Sequence, residues 1–259
     1  MTFTIDLSGS RALVTGGGQS VGRATCLALA SAGASVVVND YVAERAQRVA
    51  EEIRSAGGEA VAAPFDVTDF DAVVDSVGNA GIDVLVNNAG NAGVAGFNFL
   101  PFHESAPADW ERYFGVNLYG VMHCTRAVLP GMIELNRGRV ITVISDAGRW
   151  GEPKMAAYSA AKAGAAGFTR SLARDVGRFG ITVNNVALAS IDPSGARSDP
   201  DTITPEQAEA LGKQLRNYII RRMGRPDDVA AIVTFLASSL ASWITGQTYP
   251  VNGGYTVNQ

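Results

Sequence analysis

The chain has 259 residues, 47% of them apolar, and a formal net charge of −4 with no basic block. That length buries a large core, as one big domain or two small ones, and the acidic balance lacks the electrostatic footprint of a nucleic-acid or anionic-membrane partner. No apolar run reaches the roughly eighteen residues of a membrane span, and "MTFTIDLSGS" lacks the charged start and apolar centre of a signal peptide, so a cytoplasmic protein is expected.

From residue 11 short β-branched runs alternate with longer helical patterns. "RALVT" precedes a helix over 20–32, "SVVVN" a helix over 42–56, and "AVAAPF" a helix over 69–79. "DVLVNN" then precedes 107–135, "RVITVIS" precedes 155–178, and "ITVNNVAL" precedes 204–222 with 226–240, before a last strand "QTYPV". Strands that are continuously apolar are covered on both faces, and their alternation with helices means βαβ units in a parallel sheet. Seven strands predict a doubly wound α/β fold as one domain over 1–259, with ligands held beyond the carboxyl ends of the strands where strand order reverses. The rhythm breaks at 189–204, "ASIDPSGARSDPDTIT", which reads as a loop or lid over the site within a region reaching to about 222. Cys26 and Cys124 fall in apolar helical patterns far apart and read as buried small hydrophobes.

The turn "TGGGQSVGRA" lies between the first strand and the first helix. It fails the G-x-G-x-x-G dinucleotide pattern, since Val21 stands where the last glycine belongs. Its position still aims unpaired amides and the positive helix end above the strand, where a phosphate fits, although packing alone also uses clustered glycines. Asp40 ends the second strand about twenty residues on, where a carboxylate accepts hydrogen bonds from an adenosine ribose and repels a 2′-phosphate; the alternative is a solvated Asp. Asp66, ending the third strand, is similarly placed to meet the adenine.

In "ISDAGRWGEPKMAAYSAAKAG", Ser145 ends the fifth strand, and Tyr158 and Lys162 stand four apart on one face of the next helix. A lysine ammonium and a nicotinamide cation nearby would favour phenolate and lower the Tyr158 pKa from about 10, making it an acid–base group. Ser145 would hydrogen-bond the same substrate oxygen and orient it for hydride transfer. A Tyr–Lys pair on an ordinary surface helix is the alternative.

The chain resembles the short-chain dehydrogenase/reductases over essentially its full length, in motif order: "TGGGQSVG", Asp66–Val67, "NNAG" at 87–90, Asn117, Ser145, "YSAAK" and "VNGG" at 251–254. The resemblance implies a Rossmann-type sheet, an NAD(P)-dependent oxidoreductase and a homotetramer. It implies Tyr158 as acid–base, Ser145 as substrate orienter, Lys162 on the nicotinamide ribose, and Asn117 holding a proton-relaying water. The cofactor would meet Gly16, Gly18, Ser20, Val21, Gly22, Asp40, Asp66, Val67, Asn88, Ala89, Gly90, Tyr158, Lys162 and Ile191. Asp40, and Gln19 where many NADP-using members carry Arg, point to NAD.

Two positions depart from the family pattern. Ser20 replaces the middle glycine of T-G-x-x-x-G-x-G, which is harmless with a negative φ and room beside the pyrophosphate, and its hydroxyl would then donate to a phosphate. After the sixth strand "LASIDP" replaces P-G-x-x-x-T, so Pro193 offers neither hydroxyl nor N–H, while Ile191 still presents its backbone to the carboxamide.

For the substrate, Phe97, Phe99, Leu100, Phe102 and Trp110 on one side and Trp150 and Met155 on the other suggest an apolar pocket, or else core and subunit packing. Lys213, Arg216, Arg221, Arg222 and Arg225 form a positive run that would meet coenzyme A phosphates or be a solvated face. Asp146 and Arg149 are substrate contacts or turn residues, and His103 and His123 have no metal-site partners. The expected activity is NAD-dependent interconversion of a secondary alcohol and a ketone on a moderately apolar, cyclic or acyl-CoA-type small molecule. The alternatives are an NADPH-dependent 3-oxoacyl carrier-protein reductase and a non-catalytic dinucleotide sensor.

Overall fold

Seven parallel strands form one sheet in the order β3-β2-β1-β4-β5-β6-β7. The strands are β1 (Arg11–Val14), β2 (Ser35–Val38), β3 (Ala60–Ala62), β4 (Val84–Asn87), β5 (Gly138–Ser145), β6 (Ile181–Leu188) and β7 (Thr248–Val251). Eight α-helices accompany them among the described residues: α1 (Ser20–Ser31), α2 (Ala43–Ser55), α3 (Phe70–Val77), α4 (Pro107–Phe114), α5 (Gly120–Glu134), α6 (Ala156–Val176), α7 (Pro205–Leu215) and α8 (Pro226–Ala237). This computed structural model describes residues 4–90, 100–193 and 203–257.

The apolar strands bury both faces, and alternation along each strand divides them between two cores. Ala12 and Val14 of β1, Val36 and Val38 of β2, and Val84 and Val86 of β4 pack with Leu29 of α1 and Val229, Val233 and Leu236 of α8. Leu13, Val37 and Leu85, one residue out of step, pack on the other face with Val73 of α3, Met132 of α5 and Val176 of α6. Cys26 and Cys124 belong to these two cores as free thiols. Burial pushes both thiols up, away from the reactive thiolate.

β1 pairs with β2 on one side and β4 on the other, so the chain winds outward to β3 and then returns to build the opposite half. The carboxyl ends of β1 and β4 therefore diverge into opposite directions of winding, which opens a crevice between them. The glycine turn, Asp40, Asn88 and Ser145 all stand at or just past the carboxyl ends of their strands.

Three elements differ from the sequence expectation. β3 stops at Ala62 rather than 65, because the Asn39 side-chain amide captures the carbonyls of Ala63 and Phe65 at 3.0 Å each and Pro64 has no N–H for a ladder. The helix expected over 107–135 is divided by a π-helical turn, Gly115–Tyr119, which widens the winding by one residue. The helix expected to 222 ends at Leu215, because the following segment bonds elsewhere: Ile220 N–H donates to Gly253 O, and Gly224 pairs with 190–192. Among the described residues no helix is long and apolar enough to cross a membrane.

Candidate active site

The glycine turn leaves β1 at Thr15, whose hydroxyl accepts the backbone N–H groups of Asn88 and Ala89 at 3.0 Å each. Asn88 answers with its side-chain amide, donating to the carbonyls of Thr15 (3.0 Å) and Gly16 (3.1 Å). The turns above β1 and β4 are thus locked together, with Asn88 in their shared floor. A side chain at Gly22 would run into the Gly16 carbonyl and the Asn88 amide. One at Gly18 would stand 2.6 Å from Asp40 Oδ2 and 2.5 Å from the Arg45 Cβ. No side chain caps the α1 N-terminus and its first turn holds no acidic residue, so its amides are available to an anion.

Ser20 adopts φ +47°, against the expected negative value. Gln19 before it is fully extended (φ −159°), and the chain reverses from that strand-like step into α1 through one left-handed residue. For a residue with a Cβ that conformation costs about 1–2 kcal/mol. Ser20 and Val21 line the main cleft.

Asp40 is 3% exposed and accepts the Val42 N–H at 3.0 Å. Arg48 reaches the same corner, donating to Gly18 O at 3.2 Å. Asp66 is exposed and folds back on Thr68, accepting its N–H and its hydroxyl at 2.9 Å each. Val67 is buried, and its carbonyl accepts from His123 Nδ1 at 3.0 Å, which fixes the proton on that nitrogen. The uncapped helix end, the side-chain-free approach at Gly18 and Gly22, and a carboxylate at the end of β2 together suit a dinucleotide.

Ser145 ends β5 and caps the short 3₁₀ turn Asp146–Gly148, its oxygen accepting the Ala147 N–H at 3.1 Å. Its hydroxyl makes a long bond to Leu188 O at 3.5 Å and also bonds with the Tyr158 side chain. Tyr158 and Lys162 lie one helical turn apart on α6, both buried. Lys162 Nζ donates to the Val143 carbonyl at 2.9 Å, where β5 runs on past the end of β4, whose last residue Asn87 pairs with Thr142. Asn117 sits in the π-helical turn, fully buried, with its amide donating to Tyr113 O at 3.0 Å. Gly90 lies between these groups: a Cβ there would stand 3.0 Å from Asn117 Oδ1 and 3.1 Å from Lys162 Nζ.

A cleft of about 790 Å3 joins Ser20, Val21, Asn88 and Gly90 to Ser145, Met155, Tyr158, Lys162 and Ile191. That volume lies within the range of small-molecule and cofactor sites. Ile191 enters it beside a parallel bridge to Gly224 that uses the Ser190 carbonyl and the Asp192 N–H, not those of Ile191.

The sequence expected the Lys162 ammonium and a nicotinamide cation together to lower the Tyr158 pKa; the protein's own groups by themselves raise it. Burial pushes Tyr158 up, the Ser145 hydroxyl pulls it down, and the Tyr113 side chain adds to the rise. Burial also pushes Lys162 down to about 8, because the cleft wall withholds water from the ammonium.

Several expected substrate contacts lie elsewhere. Trp150 is 65% exposed and does not line the cleft. Phe102 and Trp110 stack on each other at 4.9 Å, and Trp110 Nε1 donates to Ser105. Phe97, Phe99 and much of the expected lid, 194–202, lie outside the described residues. Asp146, by contrast, does line the cleft; it pairs with the half-buried Arg149 at 2.8 Å and accepts from Asn252 at 2.6 Å. In the basic run, Lys213 pairs with Glu209 and Arg222 with Asp228. Sequence reasoning missed Thr15, Asn39, Glu152, Gln214, Tyr218 and Tyr255; the T-G start of the turn was the one available signal, for Thr15.

The profile described as short chain dehydrogenase matches residues 10–203. The chain is 38% identical to a 3-oxoacyl-[acyl-carrier-protein] reductase of Synechocystis sp., over 96% of this chain and 97% of that protein. It is 36% identical to a 7alpha-hydroxysteroid dehydrogenase of Escherichia coli, over 96% and 94%. Among solved structures, a 3-oxoacyl-[acyl-carrier protein] reductase with bound NAD from Brucella melitensis superimposes with a TM-score of 0.87 at 33% identity, covering 98% of this chain and 94% of that one.

Proposed function

The chain belongs to the short-chain dehydrogenase family, and from that premise we propose that it interconverts a secondary alcohol and a ketone with NAD as its cofactor. The observation that carries this is the convergence of Ser145, Tyr158 and Lys162 on one cleft with the glycine turn of α1. Bound NAD supplies the hydride acceptor. The chain's own groups handle the proton and the geometry.

Tyr158 holds the proton that moves to and from the substrate oxygen, since its phenol is buried at the cleft beside the Ser145 hydroxyl. Ser145 is oriented by the Ala147 N–H on its oxygen, and its O–H is shared between the Tyr158 side chain and a long bond to Leu188, so it stands beside the acid–base group where a substrate oxygen competes for it. Lys162, held by Val143, stands where it can touch a nicotinamide ribose, with Asn117 beyond Gly90 holding water for proton exchange. Asp40 accepts from the adenosine ribose, while the α1 amides and Ser20 take the pyrophosphate, and the Ile191 backbone serves the carboxamide.

A second reading, NADPH-dependent reduction of a 3-oxoacyl thioester, is favoured by Arg48, whose guanidinium reaches Gly18 and would suit a 2′-phosphate. The buried Asp40 carboxylate opposes it. Calorimetric titration with NADH and NADPH decides: NADH preference that weakens in Asp40→Ala supports the first reading, and NADPH preference replaces it with the second.

A further inference from the structure

We infer that Glu152 and Tyr255 form a substrate anchor in the cleft, and that the alcohol this protein oxidises carries a second hydroxyl, making the substrate class a cyclic diol or polyol. The inference rests on the dehydrogenase reading above.

Tyr255 reaches the cleft through two consecutive left-handed glycines, Gly253 (φ +61°) and Gly254 (φ +77°), a turn that residues with side chains rarely make. Asn252 fixes that turn: its carbonyl oxygen accepts the Gly254 N–H at 2.9 Å, and its amide donates to Asp146 and to Thr256. The Tyr255 ring packs against Tyr218 at 5.1 Å between centroids. Tyr218 in turn accepts the Ser190 N–H at 3.2 Å, and Gln214 donates to the Ser190 hydroxyl at 3.0 Å. The phenol is therefore held from two sides before any substrate arrives.

Its hydroxyl donates to Glu152 Oε1 at 2.5 Å. Glu152 lies between Ser145 and Tyr158 in the chain, and both Glu152 and Tyr255 line the same cleft as those two residues. The carboxylate pushes the Tyr255 phenol up to about 12, so the phenol remains a donor and Glu152 remains the acceptor. Glu152 forms no ion pair among the described residues. A carboxylate accepts at about four lone-pair positions, and Tyr255 takes one.

The remaining positions ask for hydrogen-bond donors and repel anions. Ser190, Gln214 and Asn217 nearby add neutral hydroxyl and amide groups, which pair with hydroxyls. Val21, Met155, Leu188 and Ile191 supply apolar wall for the ring carbons.

The test is steady-state oxidation of cyclohexanol, the 1,2-, 1,3- and 1,4-cyclohexanediols, and 4-hydroxycyclohexanecarboxylate with NAD, in the wild type and Glu152→Gln. Glutamine retains an oxygen for the Tyr255 hydroxyl, so the C-terminal turn is preserved and the thermal midpoint should stay put. At least one diol should exceed cyclohexanol in kcat/KM by about tenfold or more, mostly through KM, as expected for a hydrogen bond to a charged group. The carboxylate should fall below cyclohexanol. In Glu152→Gln the diol advantage should shrink to within about threefold and the carboxylate should gain.

The same ranking in both proteins overturns the anchor, as does a lowered thermal midpoint with an unchanged KM pattern, which marks a purely structural pair. Absence of diol turnover in a protein that binds NADH by calorimetry also overturns the anchor and leaves the dehydrogenase reading standing. Failure to bind either NADH or NADPH overturns both.

Discussion

Lys162 Nζ donates to the Val143 carbonyl at 2.9 Å and lies 5.9 Å from the centroid of the Tyr158 ring, so the β5 backbone, not the tyrosine, holds the amine in place. The amine is buried, and burial pushes its pKa to about 8 from an ordinary 10.5. Below pH 8 folded and unfolded chains both carry the proton, and the folded state bears the full cost of burying the charge. Between about 8 and 10.5 the folded state sheds the proton first, so stability rises with pH across that window.

Replacing the charge should therefore stabilise. The shift corresponds to about 3 kcal/mol, against which the lost bond to Val143 removes about 1–2 kcal/mol. Lys162→Met should be more stable than the wild type in urea at pH 7 by about 1–2 kcal/mol, and the gap should close, then reverse, as pH climbs from 8 toward 10. A gap that stays constant between pH 8 and 10.5 would mean that the amine has the same pKa in the folded and unfolded protein, so that burial does not shift it. The same variant should lose turnover.

Tyr158 is held protonated at neutral pH by burial. Alcohol oxidation needs the phenolate and ketone reduction needs the phenol, so the oxidation rate should rise with pH past neutrality while the reduction rate gains nothing. Tyr158→Phe should lower kcat in both directions by about 10²- to 10⁴-fold, the usual worth of a positioned acid–base group. Its NADH affinity by calorimetry should change little. An unaltered pH profile in Tyr158→Phe, with residual activity near that of the wild type, would take the proton-transfer role away from this residue.

Asp40 and Arg48 both reach Gly18, one offering a carboxylate and the other a guanidinium. Asp40→Ser keeps a small hydrogen-bonding group and removes the charge that opposes a 2′-phosphate. NADH affinity should fall about tenfold, the worth of a charge-assisted hydrogen bond. NADPH affinity should rise, and adding Arg48→Ala should cancel that gain. NADPH affinity insensitive to both changes would place the adenosine ribose elsewhere.

What the sequence could and could not disclose follows from range. Tyr158 and Lys162 face one way because four residues make roughly one helical turn, and Ser145 reaches the mouth because a strand ends at the sheet edge; both are local rules. The two cores follow from alternation within β1, β2 and β4. Asn117 was found through a motif, but its π-helical turn was not, since nothing in "FGVNLYG" distinguishes five-residue winding from an ordinary helix. The Thr15–Asn88 lock spans 73 residues and the Glu152–Tyr255 pair 103, and no periodicity reports on contacts made where separate loops meet. Trp150 failed for the converse reason: its spacing from Ser145 was right, but the turn after Gly148 carries it outward.

Ser20 is where sequence and backbone disagree most sharply, because a residue with a Cβ occupies a left-handed step that the family fills with glycine. If the side chain did nothing, the strain would be a net loss. Ser20→Gly relieves the left-handed cost at the expense of some unfolded-state entropy, so the variant should gain about 1 kcal/mol of stability in urea unfolding. The hydroxyl lines the cleft beside the uncapped N-terminus of α1, where the pyrophosphate is proposed to lie, so NADH should bind about three- to tenfold more weakly to Ser20→Gly and also to Ser20→Ala. The alanine variant separates the two effects: it keeps the strain and loses the hydroxyl, and should match the wild type in stability while sharing the weaker binding. Tight NADH binding in both variants would leave Ser20 as strain without a function in cofactor binding, and the pyrophosphate would be held by the backbone amides of the turn alone.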